Sequence, residues 1–193
     1  MSYQSLPALY PVFLDVSGLP CLVVGGGPVA SRKVSGLVGA GAAVRVVSPD
    51  AAPELAALAG AGRVTWERRR YAPGDARGHA LVFACTGVPE VDAAVAAEAR
   101  GLGLWVNVAG APELGNMILP AVHRAGSLTL AISTGGMSPS LARALRDRLA
   151  AVLETAVTEL TTGMRFALPA SEGDRCRPSD GGAWRLPREE EGL

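Results

Sequence analysis

A chain of 193 residues can fill one core, or one domain with a small second one. Lys+Arg and Asp+Glu number 18 each, so the zero net charge gives no electrostatic case for nucleic acid or an anionic membrane surface. No uncharged apolar run reaches the about 18 residues that span a bilayer, and no basic segment with a long apolar stretch opens the chain. Cys21, Cys85 and Cys176 form no close pair and no disulfide framework, and Cys21 and Cys85 sit in apolar runs. A cytoplasmic protein with reduced thiols is expected.

In chain order, Cys21–Val24 reads as a buried strand, with Gly25, Gly26 and Gly27 directly after it. Val29, Val34, Leu37 and Val38 then recur at helical spacing until Gly39 and Gly41. Ala43–Val47 is a second strand stopped by Ser48 and Pro49, and Pro53–Ala59 a short alanine-rich helix. Val64–Glu67 and Ala80–Cys85 are the third and fourth strands, Val88–Gly101 a helix and Leu104–Val108 the fifth strand. Apolar strands alternating with helices imply a parallel sheet covered on both faces, an α/β fold of Rossmann type.

The pattern changes at Met117–Val122, an apolar run that His123 and Arg124 end. A turn at Ala125–Gly126 and a strand over Leu128–Ile132 suggest a hairpin, or a crossover leaving the first sheet. Ser133, Thr134, Gly135 and Gly136 make a polar loop. Ser138 and Pro139 open a long helix to about Thr162, with Leu141, Leu145, Leu149, Val152 and Leu153 on one face. After Pro169 the chain turns to Ser, Gly, Asp, Arg and Pro, and disorder is expected there. The expected division is a nucleotide-binding domain over 1–112, a dimerisation and substrate region over 113–168, and a tail over 169–193.

The strongest motif is Gly25-Gly26-Gly27-Pro28-Val29-Ala30, which fits G-x-G-x-x-A between a strand and a helix. Its first glycine permits the tight turn, the second lets backbone approach a pyrophosphate, and Ala30 lets the helix pack close to the strand. The helix N-terminus supplies free N–H groups for the phosphates. At the end of the second strand, Ser48, Pro49 and Asp50 are placed for the adenine ribose, although Asp50 stands slightly late for an acid on its 2′-hydroxyl. No arginine directly follows Ser48 to receive a 2′-phosphate, so NAD is favoured over NADP. Thr86 and Gly87, after the fourth strand, lie where open α/β sheets bind ligands, or form an ordinary strand-to-helix turn.

The segment Leu22–Lys33, with Tyr10–Val16 before it, resembles the opening of the precorrin-2 dehydrogenase and sirohaem synthase family. Asn107-Val108, Pro112-Glu113-Leu114 and Asn116–Pro120 are similar to the family's central motif, and Ser133–Pro139 with Leu141–Arg143 to a third block. Together they cover roughly residues 7 to 150. The resemblance implies NAD-dependent oxidation of precorrin-2 to sirohydrochlorin by a homodimer. Some members also insert ferrous iron.

Two departures stand out. The family places an aspartate, thought to serve as acid or base, where this chain has Gly110. Its helical C-terminal domain also has more helices than the one evident here. A base need not be indispensable to the oxidation, because the product gains conjugation, but iron insertion must remove two pyrrole protons. Glu113 and His123 are the nearest stand-ins, and each also reads as an ordinary turn or surface residue.

For a tetrapyrrole with many carboxylates, the implied binding residues are Asn107, Asn116, Ser133, Thr134, Gly135, Ser138 and Arg143, with Arg146 and Arg148 nearby. Ser138 also suits a helix cap, and the arginines a solvated helix face. No metal-binding pattern is read. A dehydrogenase, a bifunctional dehydrogenase and ferrochelatase, and a non-catalytic nucleotide- or tetrapyrrole-binding relative all fit these residues, Gly110 motivating the last.

Overall fold

The computed structural model describes residues 9–126 and 128–163, with side chains as far as Thr155. The expected tail after Pro169, with Cys176, lies outside these residues. Two compact units divide the chain at Ala150 and Ala151.

The first unit holds five parallel strands: β1 (Pro20–Val24), β2 (Ala43–Val47), β3 (Thr65–Glu67), β4 (Leu81–Ala84) and β5 (Trp105–Val108). Their order in the sheet is β3-β2-β1-β4-β5. Helices α1 (Pro28–Gly39), α2 (Pro53–Gly60) and α3 (Pro89–Gly101) connect them. Every predicted strand and helix of this region is present, with ends displaced by a residue or so.

Period-two alternation explains the two-sided core. Cys21 and Val23 of β1 join Val44, Val46 and Phe83 under Ala30 and Val34 of α1 and Leu55 of α2. Leu22 and Val24 face the other way, with Val47, Val82 and Val106, against Val95, Ala96 and Ala99 of α3. Leu22, Val23, Val46, Val82, Phe83 and Val106 are 2% exposed or less, and full burial stabilises by about 1.5–3 kcal/mol for each such side chain.

An ion-pair network braces the β2–β3 edge. Arg45 donates to Glu67 at 2.7 Å, and Arg69 reaches Glu67 at 2.7 Å and Asp75 at 2.6 Å. The Arg69 guanidinium holds the buried Asp75 carboxyl at a pKa of about 2, below its ordinary range.

After β5 the chain makes one helical turn at Pro112–Leu114 and then an antiparallel hairpin, β6 (Ala121–Ala125) with β7 (Leu128–Ile132). Of the two expected alternatives, the hairpin is present. Its first strand includes His123 and Arg124, where the apolar run was expected to stop. Alternation accounts for this: Ala121, His123 and Ala125 are half-buried while Val122 and Arg124 are exposed, so a strand needs only every second residue inside. Met117–Pro120 is not a strand. The Met117 N–H is taken by the Val106 carbonyl at 3.1 Å, and Pro120 has no N–H to offer.

The last described element is α4 (Pro139–Gly163). Its residues 139–150 belong to the first unit, and residues 151–163 are the described part of the second. No helix among the described residues is long and apolar enough to cross a membrane.

Candidate functional site

In this sheet β1 lies between β2 and β4, and the crossovers leave it in opposite directions. That is the topological switch point, where the carboxyl ends of parallel strands leave a crevice for ligands. The glycine loop lies there.

Each glycine has its own reason. Gly25 has φ +115°, and a Cβ there would stand 2.4 Å from the Cys85 carbonyl oxygen. A Cβ on Gly26 would stand 1.9 Å from the Asp50 carbonyl oxygen and 2.9 Å from Ser48 Oγ. Gly27 differs: its backbone is extended at φ −73°, and among the described residues no heavy atom lies within 4 Å of a Cβ built there. The close approach at Gly26 is therefore to the chain itself, and the open space over Gly27 is what a ligand could fill. Ala30 is fully buried, as a helix packed tightly onto the sheet requires.

Gly27 is the N-cap of α1 and no side chain among the described residues caps it. The first turn of α1 holds no acid, whereas α2 has Glu54 and α3 has Glu90 and Asp92 in theirs. The free N–H groups and the positive end of α1 are thus left for an external anion, the arrangement a dinucleotide pyrophosphate needs. These residues fit the expected cofactor.

The other cofactor candidates are placed as follows. Ser48 is buried, its N–H donating to the Glu67 carbonyl and its carbonyl accepting from Trp66 Nε1 at 2.9 Å. Pro49 and Asp50 are exposed beside the loop. The Thr86 and Gly87 N–H groups both donate to Asp92, at 3.0 and 3.2 Å, so this turn uses its donors on the first turn of α3. Gly87 has φ +71° with open space above it.

A second feature meets α1 at Arg32. Arg32, Ser133, Thr134, Arg143 and Arg146 line a cleft of about 490 Å³ whose apolar walls come from Ile118, Leu119, Val122 and Ile132. Arg32 and Arg143 are exposed and carry no ion pair among the described residues, while Arg146 holds Asp147 at 2.6 Å. Such a lining suits an apolar body bearing carboxylates.

Three expected substrate residues, Ser133, Thr134 and Arg143, meet in this cleft. Gly135 lies in the same loop, its N–H donating to Ser133 Oγ at 3.1 Å. Ser138 precedes Pro139 and caps α4, accepting from the Leu141 N–H at 3.3 Å. Asn116 is exposed but bonded along β5: its Oδ1 accepts from the Val106 N–H at 2.7 Å and its Nδ2 donates to the Leu104 carbonyl at 3.0 Å. Asn107 is buried, donating through Nδ2 to the Met117 carbonyl at 2.9 Å and accepting from Lys33 Nζ at 2.7 Å. Gly110 is exposed at φ +88° with open space where a side chain would start. Glu113 is exposed, and His123 lies in β6 opposite Leu130.

Two residues of the site escaped sequence reasoning: Arg32 on the cleft and Lys33 behind it. Lys33 is the single lysine of the chain, which was the available signal. Burial lowers the pKa of its ammonium, which stands 5.7 Å from the Phe83 ring centroid.

Comparison with known proteins bears on the family and the fold. The family described as "Putative NAD(P)-binding" matches residues 12–121, and the family described as "Sirohaem biosynthesis protein central" matches residues 125–151. The siroheme synthase of Methylobacillus flagellatus is 40% identical over 176 residues, covering 91% of this chain and 37% of that protein. That of Methylococcus capsulatus is 43% identical over 139 residues, covering 72% of this chain and 29% of that protein. The chain thus spans about a third of the length of these curated relatives. The solved structure of SirC, a precorrin-2 dehydrogenase, superposes with a TM-score of 0.71 at 32% identity, covering 80% of this chain and 76% of that one. With its five-stranded Rossmann-type sheet and NAD(P)-binding domain, the chain belongs to the sirohaem synthase and precorrin-2 dehydrogenase family.

Proposed function

We propose that this chain is an NAD-dependent dehydrogenase that oxidises precorrin-2 to sirohydrochlorin. The observation that carries the reading is an arginine-lined cleft on the helix whose start is uncapped: Arg32 lines the cleft from α1, whose N-terminus is open to a pyrophosphate. When bound, the nicotinamide supplies the hydride acceptor. The protein binds and orients. Gly25, Gly26, Gly27, Pro28, Val29 and Ala30 shape the pyrophosphate site, Ser48, Pro49 and Asp50 the ribose site, and Thr86 with Gly87 the opposite lip. Arg32, Arg143 and Arg146 take the tetrapyrrole's carboxylates, with Ser133 and Thr134 as hydrogen-bonding partners, and the walls exclude water from its rings. Gly110 offers no acid or base, and as it is exposed the departing proton passes to solvent.

The domain bounds 1–112, 113–168 and 169–193 are part of this proposal, as is a homodimer. Leu141, Leu145 and Leu149 of α4 are 51, 40 and 44% exposed, a stripe that a second copy would cover symmetrically.

Purified protein mixed with precorrin-2 and NAD tests the reading. The sirohydrochlorin spectrum and NADH absorbance should rise together in equal amounts. Binding of both ligands without either product would leave a non-catalytic binding protein instead.

A further inference from the structure

We propose that Lys33 is a positioning residue for the tetrapyrrole: through Asn107 it sets the spacing between the two walls of the arginine cleft. The inference rests on the dehydrogenase reading above. On α1, Lys33 directly follows Arg32, which lines the cleft. Its Nζ donates to Asn107 Oδ1 at 2.7 Å, across 74 residues of sequence. The same carboxamide donates through Nδ2 to the Met117 carbonyl at 2.9 Å, and Met117 directly precedes Ile118, which also lines the cleft. One buried carboxamide thus ties the helix that carries Arg32 to the segment that starts at Ile118.

This tie is a costly one to build from a lysine. A half-buried ammonium loses hydration, and among the described residues Lys33 has no carboxylate to compensate it, only a neutral amide oxygen and an aromatic face. An apolar side chain would pack there at less cost, so a lysine at this position points to what its hydrogen bond holds in place. The glycine loop is secured without it, by the Gly25 N–H on the Val47 carbonyl at 2.9 Å and the Ala52 N–H on the Gly26 carbonyl at 2.7 Å. Loosening the tie should therefore disturb the cleft and spare the cofactor site.

The test combines kinetics, calorimetry and amide exchange on the full chain. Lys33→Met should raise KM for precorrin-2 about tenfold with kcat nearly kept, the pattern of binding lost equally from ground and transition states. NAD affinity should stay within about twofold. Lys33→Arg, which still donates to Asn107 Oδ1, should recover most of the loss. Asn107→Leu should give a similar KM, and the double variant should be no worse than the poorer single, because both act through one carboxamide. An unchanged KM in Lys33→Met, or NAD affinity falling in step with it, would overturn the proposal. So would a Lys33→Arg as impaired as Lys33→Met. If wild-type protein does not oxidise precorrin-2, the dehydrogenase reading fails on its own. The tie is then judged by hydrogen exchange at the Asn116 and Met117 amides: Lys33→Met should speed it about tenfold, and unchanged exchange refutes the tie.

Discussion

Substituting two adjacent glycines should have opposite effects. A Cβ on Gly26 would stand 1.9 Å from the Asp50 carbonyl oxygen, which is backbone and cannot turn aside. Gly26→Ala must push the 48–52 segment away from the loop. Overpacking of this kind costs about 1–3 kcal/mol, and the upper end is expected because moving the segment would also stretch the Ala52 N–H to Gly26 carbonyl bond, 2.7 Å long. At Gly27 the backbone is extended at φ −73° and no described heavy atom lies within 4 Å of a Cβ. Gly27→Val should therefore change stability by less than about 1 kcal/mol. The branched side chain would instead fill the space over the α1 N-terminus. Losing the pyrophosphate contacts should weaken NAD binding at least a hundredfold, about 2.7 kcal/mol. Calorimetry with NAD and thermal unfolding, run on both variants, separate the two effects. NAD affinity unchanged in Gly27→Val would refute the cofactor placement, and an unchanged melting temperature in Gly26→Ala would refute the packing argument.

Three further outcomes are expected. NAD should be preferred over NADP by about tenfold, roughly 1.4 kcal/mol, since Asp50 would repel a 2′-phosphate and Arg45 and Arg69 are already tied to Glu67 and Asp75; equal turnover with both cofactors would contradict this. Asp75 has its carboxyl lowered to a pKa of about 2 from 3.8, so it contributes stability fully above pH 3.8, and this is lost as pH falls through about 2. The contribution amounts to about 2 kcal/mol, and urea titrations of wild type and Asp75→Asn should converge across that window. Replacing Leu145 and Leu149 together by glutamate should give monomers with little dehydrogenase activity; light scattering that shows an active wild-type monomer would remove the basis for the dimer.

The α/β architecture was legible because local chemistry carries it. Cys21–Val24 is a continuous apolar run and Ala43–Val47 is broken only by Arg45, close to what strands buried on both faces require, and Gly25 and Gly39 mark where strand and helix end. Gly27 was recognisable too, because a loop between strand and helix restricts its residues through its own backbone. Contacts between distant segments were not legible. Nothing near Asn107 announces Lys33, and nothing near Asn116 announces that its carboxamide would take the place of a strand partner for Leu104 and Val106. Arg32 reads as a solvated helix residue until the chain returns through Ile118 and α4 to make it one wall of a cleft. Over residues 20–108 sequence alone determined which segments are strands and helices and marked the glycine loop between β1 and α1, because periodicity and glycine act within a few residues. Tertiary structure alone decided which polar side chains line the cleft and which are taken up in bonds to the backbone, because that depends on partners brought together by the closing of the sheet.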